Sequence, residues 1–230
     1  MGLALEVGIL ADLKGHDAEG FDHHSEIFKR LNSFLASCGL AQHHEPDDCE
    51  VWSGAMMGYS GLHDVRRIGA HLDSNGLLPA PSSREDRKDP CLEGYYAMAA
   101  GGQRGFFRRL WGRASKYQRQ FDHLIFHSDS EGYYLPTDFT EVLFPPEKLE
   151  IPGGMVGSAP RLLAELDRIA KALEIPETLT EGLEELWEAA NSPPPDGELW
   201  RRYGRESFGC LTLREGCRQA IASRAALVFT

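Results

Sequence analysis

The sequence predicts an α+β or mixed α/β chain, with a small sheet under substantial helical cover and a mainly helical C-terminal third. Three observations lead there. Residues 3–13 alternate, with Leu3, Leu5, Val7, Ile9, Ala11 and Leu13 on one face and Glu6, Gly8 and Asp12 on the other, the period of a strand. Several longer stretches place apolar residues at three- to four-residue steps, the period of an amphipathic helix. Strand-like stretches are few and separated by helical ones, with no repeat, heptad run or low-complexity tract. We expect a mixed α/β core over residues 1–151 and a mainly helical region over 152–230, packed on that core as one domain.

In chain order, the alternating opening gives way to a turn at Lys14-Gly15-His16-Asp17. A helix follows in which Phe21, His24, Ile27, Phe28, Leu31, Phe34, Leu35 and Cys38 form one stripe, ending at Gly39. Residues 41–50 form a polar loop. Ser60 is a fitting N-cap for a second helix that turns Leu62, Val65, Ile68, Gly69 and Leu72 inward and closes at Asn75-Gly76. Residues 79–90, rich in proline, serine and charge, are loop-like. Residues 103–121 read as a third helix with Phe107, Leu110, Trp111, Ala114, Tyr117 and Phe121 inward. Leu124, Ile125 and Phe126 suggest a buried strand, Ser128 to Gly132 a turn, and Tyr133-Tyr134-Leu135 a returning strand stopped by Pro136. Beyond it, Leu162 to Leu173 form a helix behind Ser158. Thr178 with Glu181 and Thr212 with Glu215 have the spacing of capping boxes for two later helices. Asn191 to Pro195 stops the first of these, Asp196 is a cap for a short turn, and Ala225–Phe229 extends as a final strand or tail.

Composition narrows the function classes. The chain has 230 residues, a net charge of -11 and 42% hydrophobic residues. A chain of this length buries roughly 70% of its unfolded surface and needs no disulfide or metal staple. The acidic balance argues against a nucleic-acid coat, which is normally basic. No run of apolar residues is long enough to span a membrane. The first residues lack the basic segment of a signal peptide. The cysteines (Cys38, Cys49, Cys91, Cys210 and Cys217) form no Cys-x-x-Cys pair, so free thiols in a reducing cytoplasm are expected.

The densest polar cluster is His123 to Gly132. His127, Asp129 and Glu131 stand at i, i+2 and i+4, on one side if the segment is extended, which suits acid–base work. The competing reading is a turn in which Asp129 and Ser130 hydrogen-bond local amides and His127 meets a carbonyl. The spacing matches no specific metal motif, so no metal and no cofactor is assigned. A second group, His16, His23, His24, His43 and His44, offers a ligand set such as His16 with His23 or His24 and Asp17 or Asp22, but His23 and His24 point to different helix faces and His24 falls on the apolar stripe, which favours a core histidine. Third, Arg104, Arg108, Arg109, Arg113, Lys116 and Arg119 decorate the helix expected at 103–121, with no acid between Glu93 and Asp122. This basic face either pairs with the acidic helices at 165–188 or binds an external anion, for which Arg104, Arg108, Arg109 and Arg113 are the candidate ligand-binding residues. Phosphate loops, G-x-G-x-x-G, G-x-S-x-G, H-E-x-x-H and EF-hand signatures are absent.

The string from Phe121 to Gly132 resembles an F-x-x-L-x-x-H-S-D-x-[DE]-G pattern of uncharacterised bacterial proteins, some of them immunity-like or toxin neighbours. The resemblance covers about a dozen residues and implies a bacterial cytoplasmic protein, with no catalytic residue carried over. The leading expectation is therefore a protein that acts by macromolecular binding, as an immunity-type or regulatory factor. The rival is a hydrolase or transferase using His127, Asp129 and Glu131 on an anionic substrate held by Arg104 or Arg108. The expected partners are a protein or an anionic small molecule, with neither membrane nor nucleic acid.

Overall fold

A computed structural model describes residues 3–82, 89–102 and 119–230. Among them the expected α+β class is observed. The strands are β1 (Ala4–Val7), β2 (Trp52–Ala55), β3 (Gly132–Leu135), β4 (Val156–Ser158) and β5 (Leu227–Phe229). They form one sheet in the order β2-β1-β5-β3-β4. β1 runs antiparallel to both β2 and β5, β5 antiparallel to β3, and β3 parallel to β4.

The first strand is shorter than the alternation suggests. β1 ends at Val7 because Gly8 adopts a left-handed φ of 83°, and a Cβ there would lie 2.9 Å from Cys49 Sγ. The chain then turns into α1 (Ile9–Leu13) and α2 (Ala18–Ser37), whose start is capped by Asp17 accepting from the Gly20 amide at 2.9 Å. The small-residue run at 53–61 hides β2, and α3 (Gly58–Asn75) begins ahead of Ser60 and closes on left-handed Gly76. α4 spans Pro90–Gly102. Most of the helix expected at 103–121 lies outside the described residues.

The segment 124–126 is not a strand. It belongs to a short helix, α5 (Asp122–Ile125), whose first amides are taken by Glu165: His123 N–H to Oε1 at 3.1 Å and Leu124 N–H to Oε2 at 2.7 Å. Tyr133-Tyr134-Leu135 is the expected strand β3, but it pairs with β4 and β5 and closes no hairpin with what precedes it. α6 (Ala159–Ala172) is capped by Ser158 as its sequence indicates. α7 (Glu184–Asn191) starts after the expected capping box, since Glu181 instead accepts from Trp52 Nε1 at 3.3 Å. α8 spans Leu199–Arg202. α9 (Gly204–Ser223) begins well before Thr212, whose hydroxyl donates to the Phe208 carbonyl at 3.0 Å.

Alternation along the strands divides the core. Leu5, Tyr134, Leu227 and Phe229 point into a cluster with Val65 and Ile68 of α3, Leu162 and Leu166 of α6, and Cys210, Leu213 and Cys217 of α9. Tyr133, Leu135 and Val228 point the other way, against Ile27, Phe28, Leu31 and Leu35 of α2. The result is three layers, with α2 on one side of the sheet and α3, α6 and α9 on the other. α9 is buried along most of its length, with solvent-facing polar residues Arg214, Glu215, Arg218 and Gln219 gathered in its second half. α7 and α8 pack on its outer side through Leu186, Ala189, Trp200, Phe208 and Leu211. That contact requires Gly204, where a Cβ would lie 2.0 Å from the Ala189 carbonyl oxygen. Among the described residues no helix is long and apolar enough to cross a membrane.

Candidate functional site

The His127–Glu131 segment is held from below by one buried cation. Arg66, on α3, has no exposed surface. Its Nε donates to the Leu124 carbonyl at 2.9 Å, and Nη2 donates to the carbonyls of His127 at 2.7 Å and Ser128 at 3.2 Å. Its Nη1 pairs with Asp129, whose other carboxylate oxygen meets His63 Nε2 at 3.3 Å. The His63 hydrogen bond and the Arg66 charge hold the Asp129 carboxyl below its usual range, against the opposing pull of burial. Asp129 stands out within the polar cluster of the sequence, whereas neither of its partners does. Arg66 falls beside Val65 within the apolar stripe of its helix, and a charge there signals a buried pair.

His127 lies in the core, stacked on Tyr134 at 4.0 Å and edge-on to Phe229 at 4.9 Å. Both ring nitrogens face carbonyls, those of Ser128 and Tyr133, at 3.3 Å each. Burial, reinforced by Arg66, pushes its pKa down to about 3, so the ring is neutral at physiological pH. His123 is likewise fixed. Its Nδ1 accepts from the Ser158 amide at 3.0 Å, Nε2 donates to the Thr140 carbonyl at 3.1 Å, and burial lowers its pKa to about 4. Glu131 is exposed. The three expected acid–base residues therefore occupy three environments: a core ring, an ion-paired carboxylate and an exposed carboxylate. Arg104, Arg108, Arg109 and Arg113 lie outside the described residues.

Of the remaining histidines, His43 pairs with Glu45 at 2.5 Å in a buried contact, and His24 Nδ1 lies 3.2 Å from the Tyr133 hydroxyl. His71, Asp89 and Cys91 bring one ligand-type atom each within 4.8 Å of the others. The Asp89 carboxylate is already engaged by Arg67 Nε at 3.0 Å, by His71 Nε2 at 2.8 Å and by the amides of Cys91 and Leu92. A cation seated there would compete with the Arg67 guanidinium.

Among the described residues, two groups of outward-facing acids stand out. Along the first turns of α2, Glu19, Asp22 and Glu26 stand at i, i+3 and i+7 and, with Asp17 and His23, line a shallow groove. Cations are mixed into this face: Lys29 pairs with Glu26 at 2.5 Å, and nearby Lys14 pairs with Asp47 at 3.0 Å. The second group is the stretch containing α7. Between Lys171 and Arg201 the chain holds Glu174, Glu177, Glu181, Glu184, Glu185, Glu188, Asp196 and Glu198, and no lysine, arginine or histidine. All of these but Glu181 are exposed. Glu184 and Glu188 stand one turn apart, separated by about 6 Å of helix rise. Arg201 at the end of the stretch is held between Glu185 at 2.5 Å and Glu198 at 2.9 Å and lies over the Trp200 ring at 4.4 Å. Among the carboxylates sits Trp187, 53% exposed, with its ring edge-on to Phe208 at 5.5 Å. Like charges at this spacing cost a helix a few tenths of a kcal/mol each, offset in part where they occupy its first turn. The face is thus neutral to the fold and strongly negative to anything that approaches it.

The fold and this surface define a class, an α+β protein that displays negative charge on a rigid helical layer. Residues 1–229 match the model of a family described as "Putative DNA-mimic protein", and the chain belongs to that family. No curated protein and no solved structure matches the chain. Membership overturns the expected partner list of an unspecified protein or a small anion. The family's description implies an anionic surface of its own and DNA-binding proteins as its partners. The small anion leaves the list.

Proposed function

We propose that the chain occupies the DNA-binding surface of a partner protein, presenting the carboxylates around α7 where the partner would meet phosphates. The observation that carries this reading is the unbroken acidic stretch from Glu174 to Glu198 in a chain of the DNA-mimic family. One strand of a duplex places a charge every 3.4 Å or so along its axis. Glutamates three and four residues apart on a helix advance by about 4.5–6 Å, close enough to meet several cations of one groove. The helix backbone is fixed by its packing on α9, so its carboxylates are gathered on one element before contact. A basic groove is also steered towards such a face, which raises the association rate and makes it fall with salt.

The chain then regulates by competition, since a partner held on α7 is withheld from DNA. The immunity-type role is the case in which that partner is a toxin acting on DNA. The test is to immobilise the full chain and retain host proteins at low salt. Elution with duplex DNA is then compared with elution by an uncharged polymer. The reading expects DNA-binding proteins released by duplex, and less retained by a chain with Glu184, Glu185 and Glu188 changed to glutamine. Retained proteins that duplex does not displace, or unchanged retention by the triple variant, would overturn it.

A further inference from the structure

The junction of α3 and α4 holds an arrangement that the DNA-mimic reading leaves unused. His71 projects from α3, and Cys91 is the second residue of α4. The carboxylate of Asp89 can only accept, so His71 Nε2 carries the hydrogen that reaches it at 2.8 Å. That fixes the tautomer, and the bare Nδ1 then faces Cys91 Sγ at 3.8 Å. Asp89 is itself rigid. Burial pushes its carboxyl up, but the hydrogen bonds from His71, the Leu92 amide and Arg67 outweigh it and keep the group ionised. The sulfur sits half-buried in the first turn of a 13-residue helix, whose positive end stabilises negative charge developing on it.

The other four thiols lack this setting. Burial pushes Cys210 up to about 12 and Cys217 well above its usual range, and burial with Glu45 and Asp48 raises Cys49. Cys38 is the exposed one and makes no side-chain hydrogen bond among the described residues.

We propose that Cys91 is a reactive thiol, with His71 as its base and Asp89 as the residue that positions His71, and that it forms a mixed disulfide with low-molecular-weight disulfides. The Cys91 S–H proton passes to His71 Nδ1 as Sγ attacks one sulfur of the incoming disulfide. The Cys91 S–S bond forms and the original S–S bond breaks. The departing thiolate takes the electron pair and then the proton held by His71. Atoms and electrons balance with the disulfide as the oxidant.

The probe is 5,5′-dithiobis(2-nitrobenzoate), supplied below one equivalent to the folded full chain, with the labelled cysteine identified by peptide mass spectrometry. Exposure alone predicts that Cys38 takes the label. The proposal predicts that Cys91 takes it, by about 10-fold or more over Cys38. His71→Gln should reverse that preference while far-UV circular dichroism stays unchanged, and Cys38→Ser should leave Cys91 labelling as it was. In His71→Gly, added imidazole should restore the Cys91 rate, which a structural role for the ring would not do. Asp89→Asn should slow Cys91 without altering Cys38, and Asp89→Glu should recover part of the rate. Label found mainly on Cys38 in the wild type overturns the proposal even if every variant misfolds. Cys91 labelling that is indifferent to His71→Gln in a folded variant also overturns it.

Discussion

Residues 121–132 and 174–198 are both rich in acids, and the two regions use them in opposite ways. In the first, every acid but the exposed Glu131 is turned inward. Asp129 is locked to Arg66 and His63, and Glu165 from α6 reaches in to hold the amides of α5. Burial pushes Asp122 up to about 6, with Arg119 opposing the shift and Asp73 adding to it. In the second, the carboxylates stand in solvent, and the nearest arginine binds two of them at one end. Acid content alone therefore does not mark an interaction surface. What distinguishes the two is where each carboxylate finds its positive charge, within the chain or outside it.

The contrast can be broken hardest at Arg66. Arg66→Met leaves three carbonyls and Asp129 without their donor and should cost about 3–5 kcal/mol in urea denaturation. An effect below about 1 kcal/mol would show that the first region is not held from within.

Protonation sharpens the same point. His123 and His127 have pKa values of about 4 and about 3 in the fold, below the unfolded value of 6.5. Their stabilisation is complete above pH 6.5 and is lost as pH falls towards those values, about 2 kcal/mol for each by pH 5. Glu165 runs the other way. Burial pushes its carboxyl up to about 8, against the pull of the Leu124 and His123 amides, so its contribution is present below pH 4.5 and lost as pH rises towards 8. Asp122, raised to about 6, adds about 1.4 kcal/mol to the falling side, so between pH 5 and 8 the opposing trends should leave the wild type changing by no more than about 1 kcal/mol. Glu165→Gln should uncover a rise with pH of about 2–3 kcal/mol over that interval. A variant as flat as the wild type would refute the assignment.

A smaller effect is expected at the seat of α7. Gly204→Ala forces a methyl against the Ala189 carbonyl and should cost about 1–3 kcal/mol, with Trp187 fluorescence shifting as α7 moves off α9. Least of all, Glu184→Gln with Glu188→Gln should leave stability within about 0.5 kcal/mol. The same pair should slow association with a DNA-binding partner by about 10-fold at low salt and flatten its salt dependence. Loss of stability without loss of binding would reverse the roles assigned to the two regions.

Much of the fold was legible because helices announce themselves by periodicity. α2, α3 and α6 carry apolar stripes and recognisable ends at Gly39, Gly76 and Ser158. β2 was not legible, since a strand reading Trp-Ser-Gly-Ala at a sheet edge has little to bury. α5 was misread because Leu124 and Ile125 are apolar on every side, which a buried helical turn and a buried strand both satisfy. The beginning of α9 was hidden for a related reason: enclosed by α3, α6 and α7, it is buried nearly all round, Glu206 and Ser207 included, and has no clean apolar stripe. At the site, the weight of the HSDSEG segment was visible, but its meaning was not. The residues that decide it, Arg66 and His63, lie more than 60 positions away. The acidic stretch at 174–198 was readable as composition, and only the structure shows that part of it stands on a helix seated on α9.

The order of strands has a consequence for how the protein is made. β5, residues 227–229, sits between β1, residues 4–7, and β3, residues 132–135. While the chain is being synthesised, β1 can pair with β2, and β3 with β4, but the two halves have no common edge until β5 arrives. Both would wait with open edges, the state in which nascent chains associate with one another. Their joining sets a late, long-range step. A chain interrupted between Ser223 and Leu227 would contain every helix described here and still lack the strand that makes one sheet of two.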